Sequence, residues 1–261
     1  MLRLLATLRA LWTLTALSGD SMGSIVTIAT SKGGGGKTAL TTLLVANLAS
    51  RLRISVTDAD PNASFATWHG LGYEGPSLTC LTEIRHIEVV DTLQAQAESH
   101  DVAICDTAGF ANQTASMAIA TSDAVLIPLM ADRGTAREAI KTAKQVLACG
   151  KSARRIIPYV LVPIAWNPRG LAERATLEEL AEAESALGLL LPVARQHVSS
   201  SAEVRKMSYT GRVPTSGTIG LEIDRLVTEL TGAGILPANS RFPQRQPSQS
   251  DLLTASTNTI S

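Results

Sequence analysis

The run Gly33-Gly34-Gly35-Gly36-Lys37-Thr38, headed by Ser31-Lys32, restricts this chain more than any other stretch. Ahead of it Ser24 to Thr30 is apolar and β-branched, and behind it Ala39 to Ala49 carries apolar residues at helical spacing. Strand, glycine loop and helix in that order is the context of a phosphate-binding loop. Four consecutive glycines remove every Cβ from the turn, so backbone N–H groups can converge on one anion. The N-terminus of the following helix adds partial positive charge. Lys37 supplies a full charge for the β- and γ-phosphates, and the Thr38 hydroxyl is placed for Mg²⁺.

Two carboxylate motifs follow. Ile54 to Thr57 reads as a short strand ending in Asp58-Ala59-Asp60-Pro61-Asn62. Carboxylates at the C-terminal end of a strand, beside such a loop, are placed for metal or water, or they cap the next helix. His100 to Cys105 then runs apolar into Asp106-Thr107-Ala108-Gly109, the arrangement in which a strand-end aspartate holds Mg²⁺. Further strands are expected at Leu78–Leu81, Ser122–Leu129, Pro158–Ile164 and Leu189–Val193. Helices are expected at Ile87–Ala97, Thr135–Cys149, Leu171–Leu187, Val204–Tyr209 and Leu221–Leu230. Strands alternating with helices predict an α/β fold, a mostly parallel twisted sheet covered by helices on both faces. Such sheets bind ligands at the carboxyl ends of their strands, where the glycine loop, Asp60 and Asp106 all fall.

The loop also departs from the ordinary phosphate-loop pattern. Ser31 stands where glycine is usual, and the second lysine, Lys32, heads the loop. This K-G-G-x-G-K-T form resembles the deviant Walker A motif of the ParA/MinD family of dimerising ATPases, most of all a small ParA-type partition ATPase. The resemblance runs from about Met22 to Thr231. It implies a P-loop ATPase that binds ATP and Mg²⁺ and forms an ATP-dependent homodimer, with a partner protein that stimulates hydrolysis. By it Lys32 reaches the partner subunit's nucleotide, Lys37 acts on its own, and Asp60 orients the attacking water. The nucleotide would be held by Gly33, Gly34, Gly35, Gly36, Lys37, Thr38 and Ala39, and the metal by Thr38 and Asp106. Two positions depart from the commonest family form: Gly35 replaces a small apolar residue, and Ala39 a hydroxyl residue. Asn167 is the candidate adenine contact, and is equally read as a turn asparagine before proline. Pro214 belongs to a loop resembling the one under the adenine.

Resemblance to ParA proteins further implies non-specific duplex binding through C-terminal basic residues, here Arg195, Arg205, Lys206 and Arg212. The formal net charge is 0, so no global field draws the chain to nucleic acid and a local patch must do so. The same residues also read as ordinary solvated faces. The role implied is partitioning or cargo positioning. The alternative is a nucleotide-dependent or conjugation-associated scaffold with slow hydrolysis and no DNA binding.

Length and composition fit one domain with ragged ends: 261 residues, 45% hydrophobic and 18% charged. The expected division is an extension over 1–21, an ATPase domain over 22–236 and a disordered tail over 237–261, rich in Pro, Ser, Thr, Gln and Asn. Residues 1–21 read as a targeting segment, as an amphipathic helix, or as upstream of a true start at Met22. Three scattered cysteines offer neither a disulfide framework nor metal spacing, which points to the cytoplasm, with nucleoid association if DNA is bound. The tail lacks the basic amphipathic helix by which the MinD branch binds membranes, which argues against a membrane partner.

Overall fold

The computed structural model describes residues 22–109 and 112–242. The expected extension over 1–21 and the tail from 243 onward lie outside the described residues.

The chain begins with β1 (Ser24–Ile28), which ends ahead of the glycine loop, and α1 (Lys37–Leu48) leaves that loop. β2 (Ile54–Ala59), α2 (Ser64–Gly70) and β3 (Thr79–Thr82) build one edge. α3 (Glu88–Ser99), β4 (Val102–Thr107) and α4 (Gln113–Thr121) lead back to the centre. β5 (Ala124–Leu129), α5 (Arg133–Ser152), β6 (Tyr159–Trp166) and α6 (Leu171–Leu187) extend the other half. β7 (Val198–Ser199), α7 (Ala202–Thr210) and α8 (Gly217–Gly232) close the fold.

Seven strands form one sheet in the order β3-β2-β4-β1-β5-β6-β7, every pairing parallel. A parallel sheet must be covered on both faces, and the central strands read accordingly. Along β4, Val102 and Ile104 enter a core shared with α1, α2 and α8, while Ala103 and Cys105 enter a second core under α3 and α4. Along β5, Leu126 faces the first core, whereas Val125 and Ile127 pack against α5. Each strand therefore presents apolar residues to both sides, and the sheet becomes the rigid plate on which the loops at its carboxyl edge are carried.

Two expectations are corrected. Leu189–Val193 is not a strand and contributes only one bridge, Leu161 to Val193. Pro192 has no N–H to extend a ladder; its carbonyl accepts from Leu161 N and the rung closes with Ala194 N donating to Leu161 O. The edge is completed instead by the two residues of β7. The stretch from 237 onward is also not all tail. Ser240 Oγ and Arg241 N both donate to the buried Asp101 carboxylate, at 2.6 and 2.8 Å. The Arg241 guanidinium donates to the carbonyls of Ala97, Glu98 and His100, satisfying the C-terminus of α3. Phe242 lies under the guanidinium carbons of Arg53 and Arg241, 4.3 and 4.8 Å from its ring centroid. Among the described residues, no helix is long and apolar enough to cross a membrane.

Arg241→Ala removes a charged donor from three carbonyls. It is expected to cost about 1–3 kcal/mol in urea unfolding; an unchanged unfolding midpoint would show that this anchor adds no stability.

Candidate functional site

The site is built on the break between β1 and α1. Gly34 and Gly36 lie in the left-handed region, with φ of 75° and 81°. Gly36 precedes α1, and no side chain caps the helix. The first turn of α1 also carries no acidic residue. Its free N–H groups are therefore available to an external anion. Gly109, at the end of β4, is required by contact: a Cβ there would fall 2.4 Å from Gly33 Cα. Loop and strand end are thus in direct backbone apposition.

A cavity of about 690 Å³ opens over the loop. Gly33, Gly34, Gly35, Gly36, Lys37, Thr38 and Ala39 line it, with Asp60 and Gly109 on the far side. Lys37 is only 6% exposed. Burial pushes its ammonium below the usual lysine range, while the charges of Asp106 and Asp60 oppose that shift. Among the described residues no group accepts a hydrogen bond from it, so a desolvated cation stands ready for an anionic ligand.

Thr38 and Asp106 meet as the sequence implied. Thr38 Oγ1 donates to Asp106 Oδ2 at 2.8 Å. Asp106 is fully buried, and its Oδ1 has no partner among the described residues. Burial pushes its carboxyl up to about 7, aided by the nearby Asp58 and Asp60 and opposed by the Thr38 hydrogen bond and the charge of Lys37. An orphaned carboxylate oxygen beside a threonine hydroxyl is a hard-oxygen donor pair that fits Mg²⁺.

The two aspartates after β2 have separate surroundings. Asp58 is completely buried and accepts from Asp60 N and Ala66 N, so it fastens the turn that opens α2. Asp60 lines the cavity, and Asn62 donates to its Oδ1 from both backbone and side chain.

Lys32 does not line this cavity. Its ammonium lies beside the first turn of α5, 3.4 Å from where a Cβ on Gly134 would sit. There it helps to hold Asp132 below the usual carboxylate range; burial works against that shift, and the hydrogen bonds from Thr135 favour it. Ser31, which replaces the usual glycine, anchors the loop to the same helix. Its N–H donates to Thr142 Oγ1 at 3.1 Å and its hydroxyl to Glu138. Nothing in the local sequence pointed to this anchor.

Asn167 and Pro214, the expected adenine contacts, are not among the residues that line the cavity. Asn167 Oδ1 accepts from Arg169 N at 3.2 Å, and its backbone N–H donates to Glu173, so the residue closes the turn before α6. The four basic residues expected on DNA have different surroundings. Arg195 pairs with Glu229 at 3.2 Å and Arg212 with Glu74 at 3.6 Å. Lys206 is exposed on α7. Arg205, one residue before it, lines the cavity above the glycine loop.

Comparison with known proteins agrees with this fold. Residues 23–164, more than half of the chain, match the family model described as VirC1 protein. The ParA protein of Rhizobium radiobacter is 33% identical over 106 residues, 40% of this chain and 48% of that protein. The chain thus spans about half the length of that curated relative. Among solved structures, the McdA–ATP complex of Cyanothece superposes with a TM-score of 0.65 at 16% identity, covering 87% of this chain and 100% of the other. The MinD cell division protein of Aquifex aeolicus superposes with a TM-score of 0.63 at 18% identity, covering 80% and 98%. At these identities the structural likeness concerns the fold.

A carboxyl raised by burial favours the folded state in its protonated form. That contribution is complete below the ordinary value of 3.8 and is lost as pH rises through about 7. Without metal or nucleotide, Asp106→Asn should therefore raise the melting temperature by several degrees at pH 8, by less at pH 5, and hardly at all below the ordinary carboxylate value of 3.8. Equal melting curves at pH 8 would mean that Asp106 is not the strained group described.

Proposed function

Because the chain belongs to the VirC1 family, within the ParA/MinD phosphate-loop ATPases, we propose that it is a Mg²⁺-dependent ATPase whose nucleotide-bound form dimerises and positions or partitions a cargo. The observation that carries this reading is the uncapped N-terminus of α1 beside the buried Lys37 and the Asp106 oxygen that has no partner among the described residues. Phosphates would satisfy the N–H groups and the ammonium together. Thr38 and Asp106 would hold Mg²⁺, which when bound neutralises charge on the β- and γ-phosphate oxygens. Asp60, at the rim with one oxygen engaged by Asn62, would orient the water. Chemistry of this kind depends on positioning and charge more than on covalent steps.

The position of Lys32, outside its own cavity and exposed beside α5, supports a role toward a second subunit. The duplex-DNA part of the reading rests on Lys206, exposed on α7. The pairing of Arg195 and Arg212 with acids favours the second reading, a nucleotide-dependent scaffold acting through protein contacts. Duplex binding that requires ATP and weakens steeply with salt separates the two.

Light scattering after gel filtration tests the switch. The parent chain should run as a dimer with ATP and Mg²⁺ and as a monomer without them. Lys37→Ala should bind no ATP and stay monomeric, while Lys32→Ala should bind ATP with near-parent affinity and still fail to dimerise. A parent chain that remains monomeric with saturating ATP would contradict the proposal.

A further inference from the structure

A second cavity, of about 520 Å³, opens where α1 ends and where β2 and β3 begin, with Ser240 on one side. The strands are parallel, so this is the amino edge of the sheet, opposite the glycine loop, and the two cavities share no residue. No carboxylate lines it, whereas Arg51 and Arg53 do, both exposed.

The two guanidinium groups hold more donors than the protein uses. Each carries five N–H groups in one plane. Arg51 gives one to Asn47 Oδ1 at 3.1 Å. Arg53 lies over the Phe242 ring, 4.3 Å from its centroid, and stacking of that kind covers a face while leaving the N–H edge free. The negative groups nearby are already satisfied. Asp101 is buried and accepts from Arg53 N, Ser240 Oγ and Arg241 N at 2.8, 2.6 and 2.8 Å. At the end of α1, Asn47 O takes the Ser50 hydroxyl, and Leu48 O takes the N–H groups of Arg51 and Leu52. Arg241 covers the last carbonyls of α3. Positive charge therefore faces the cavity without a matching anion. The hydroxyls complement it. Ser50 and Ser240 line the cavity with their protons committed to Asn47 and Asp101, so each offers lone pairs to a ligand.

We propose that this amino-edge cavity binds a small phosphate monoester with a hydroxylated body, of the sugar-phosphate class, with Arg51 and Arg53 on the phosphate and Ser50 and Ser240 on the hydroxyls. Planar guanidinium donors fit phosphate oxygens two at a time. The serine lone pairs accept from ligand O–H groups, which a bare phosphate lacks. Ser240 and Phe242 belong to the stretch docked on Asp101, so that stretch builds one wall of the site. The site stands apart from the glycine loop and does not rest on the ATPase reading.

Calorimetric titration tests the site in full-length Lys37→Ala, which silences phosphate binding at the glycine loop. The ligands are ribose 5-phosphate, inorganic phosphate and ribose, without Mg²⁺ or nucleotide. Ribose 5-phosphate should bind, inorganic phosphate should bind more weakly, and ribose should give no heat. Adding Arg51→Gln or Arg53→Gln should weaken ribose 5-phosphate about tenfold or more, and Arg51→Lys should recover only part of the loss. Arg51 makes no contact with Phe242, so its variants decide the matter even if Arg53→Gln loosens the docked stretch. Hydrogen exchange should slow at residues 50–54 and 77–79 with ribose 5-phosphate and stay unchanged from Gly33 to Leu40. Absence of binding in Lys37→Ala, or binding that Arg51→Gln leaves unaltered, would overturn the site. Inorganic phosphate binding as tightly as the ester would overturn the hydroxylated ligand.

Discussion

The structure depends on a helix end left unsatisfied. α1 starts directly from a left-handed glycine with no side-chain cap, and Lys37 is buried in its first turn. Either feature alone is unfavourable: orphan N–H groups need partners, and burial penalises an ammonium. They are tolerated because the surrounding sheet is rigid and covered on both faces. Asp106, buried on β4 with one oxygen unpaired, is the matching excess of negative charge. The protein holds cation, dipole and carboxylate a short distance apart and leaves room for a polyanion and a metal to complete the set.

Position in this site is set by backbone apposition as much as by side chains. Gly109 lies so close to Gly33 that no Cβ fits, so the end of β4 and the phosphate loop move as neighbours. Ser31 ties the other end of the loop to α5 through Thr142 and Glu138. Lys32 follows that anchor and lies toward α5 instead of the cavity. The loop is therefore in contact on two sides, with the end of the strand bearing Asp106 and with the helix beside Lys32.

Much of this was legible in the sequence where the determinants are local. Strand, glycine run and helix follow one another within 25 residues, and the strand-end aspartates stand in their own apolar runs. The Thr38–Asp106 pair could be anticipated because both residues sit at the carboxyl edge of adjacent strands, β1 and β4. What was not legible depends on partners far along the chain. Ser31 meets Thr142 at a separation of 111 residues, and Arg241 meets Asp101 at 140. Composition around Ser240 to Phe242 reads as tail, and only the free carbonyls of α3 and the Asp101 carboxylate explain why it docks. Asn167 reads both as an adenine contact by resemblance and as a turn asparagine, and the contacts with Arg169 and Glu173 that place it in a turn are local. Arg205 looked like one more basic residue because nothing in its neighbourhood reveals that α7 folds back over the glycine loop.

The central claim is that the glycine loop and the first turn of α1 await a magnesium-bound nucleotide. Hydrogen–deuterium exchange tests it at the groups concerned. With ATP and Mg²⁺, the amides from Gly33 to Leu40 and at Gly109 should become strongly protected, and Lys37→Ala should abolish that protection. Loop amides that exchange at the same rate with and without the nucleotide would contradict the account, whatever happens elsewhere in the chain.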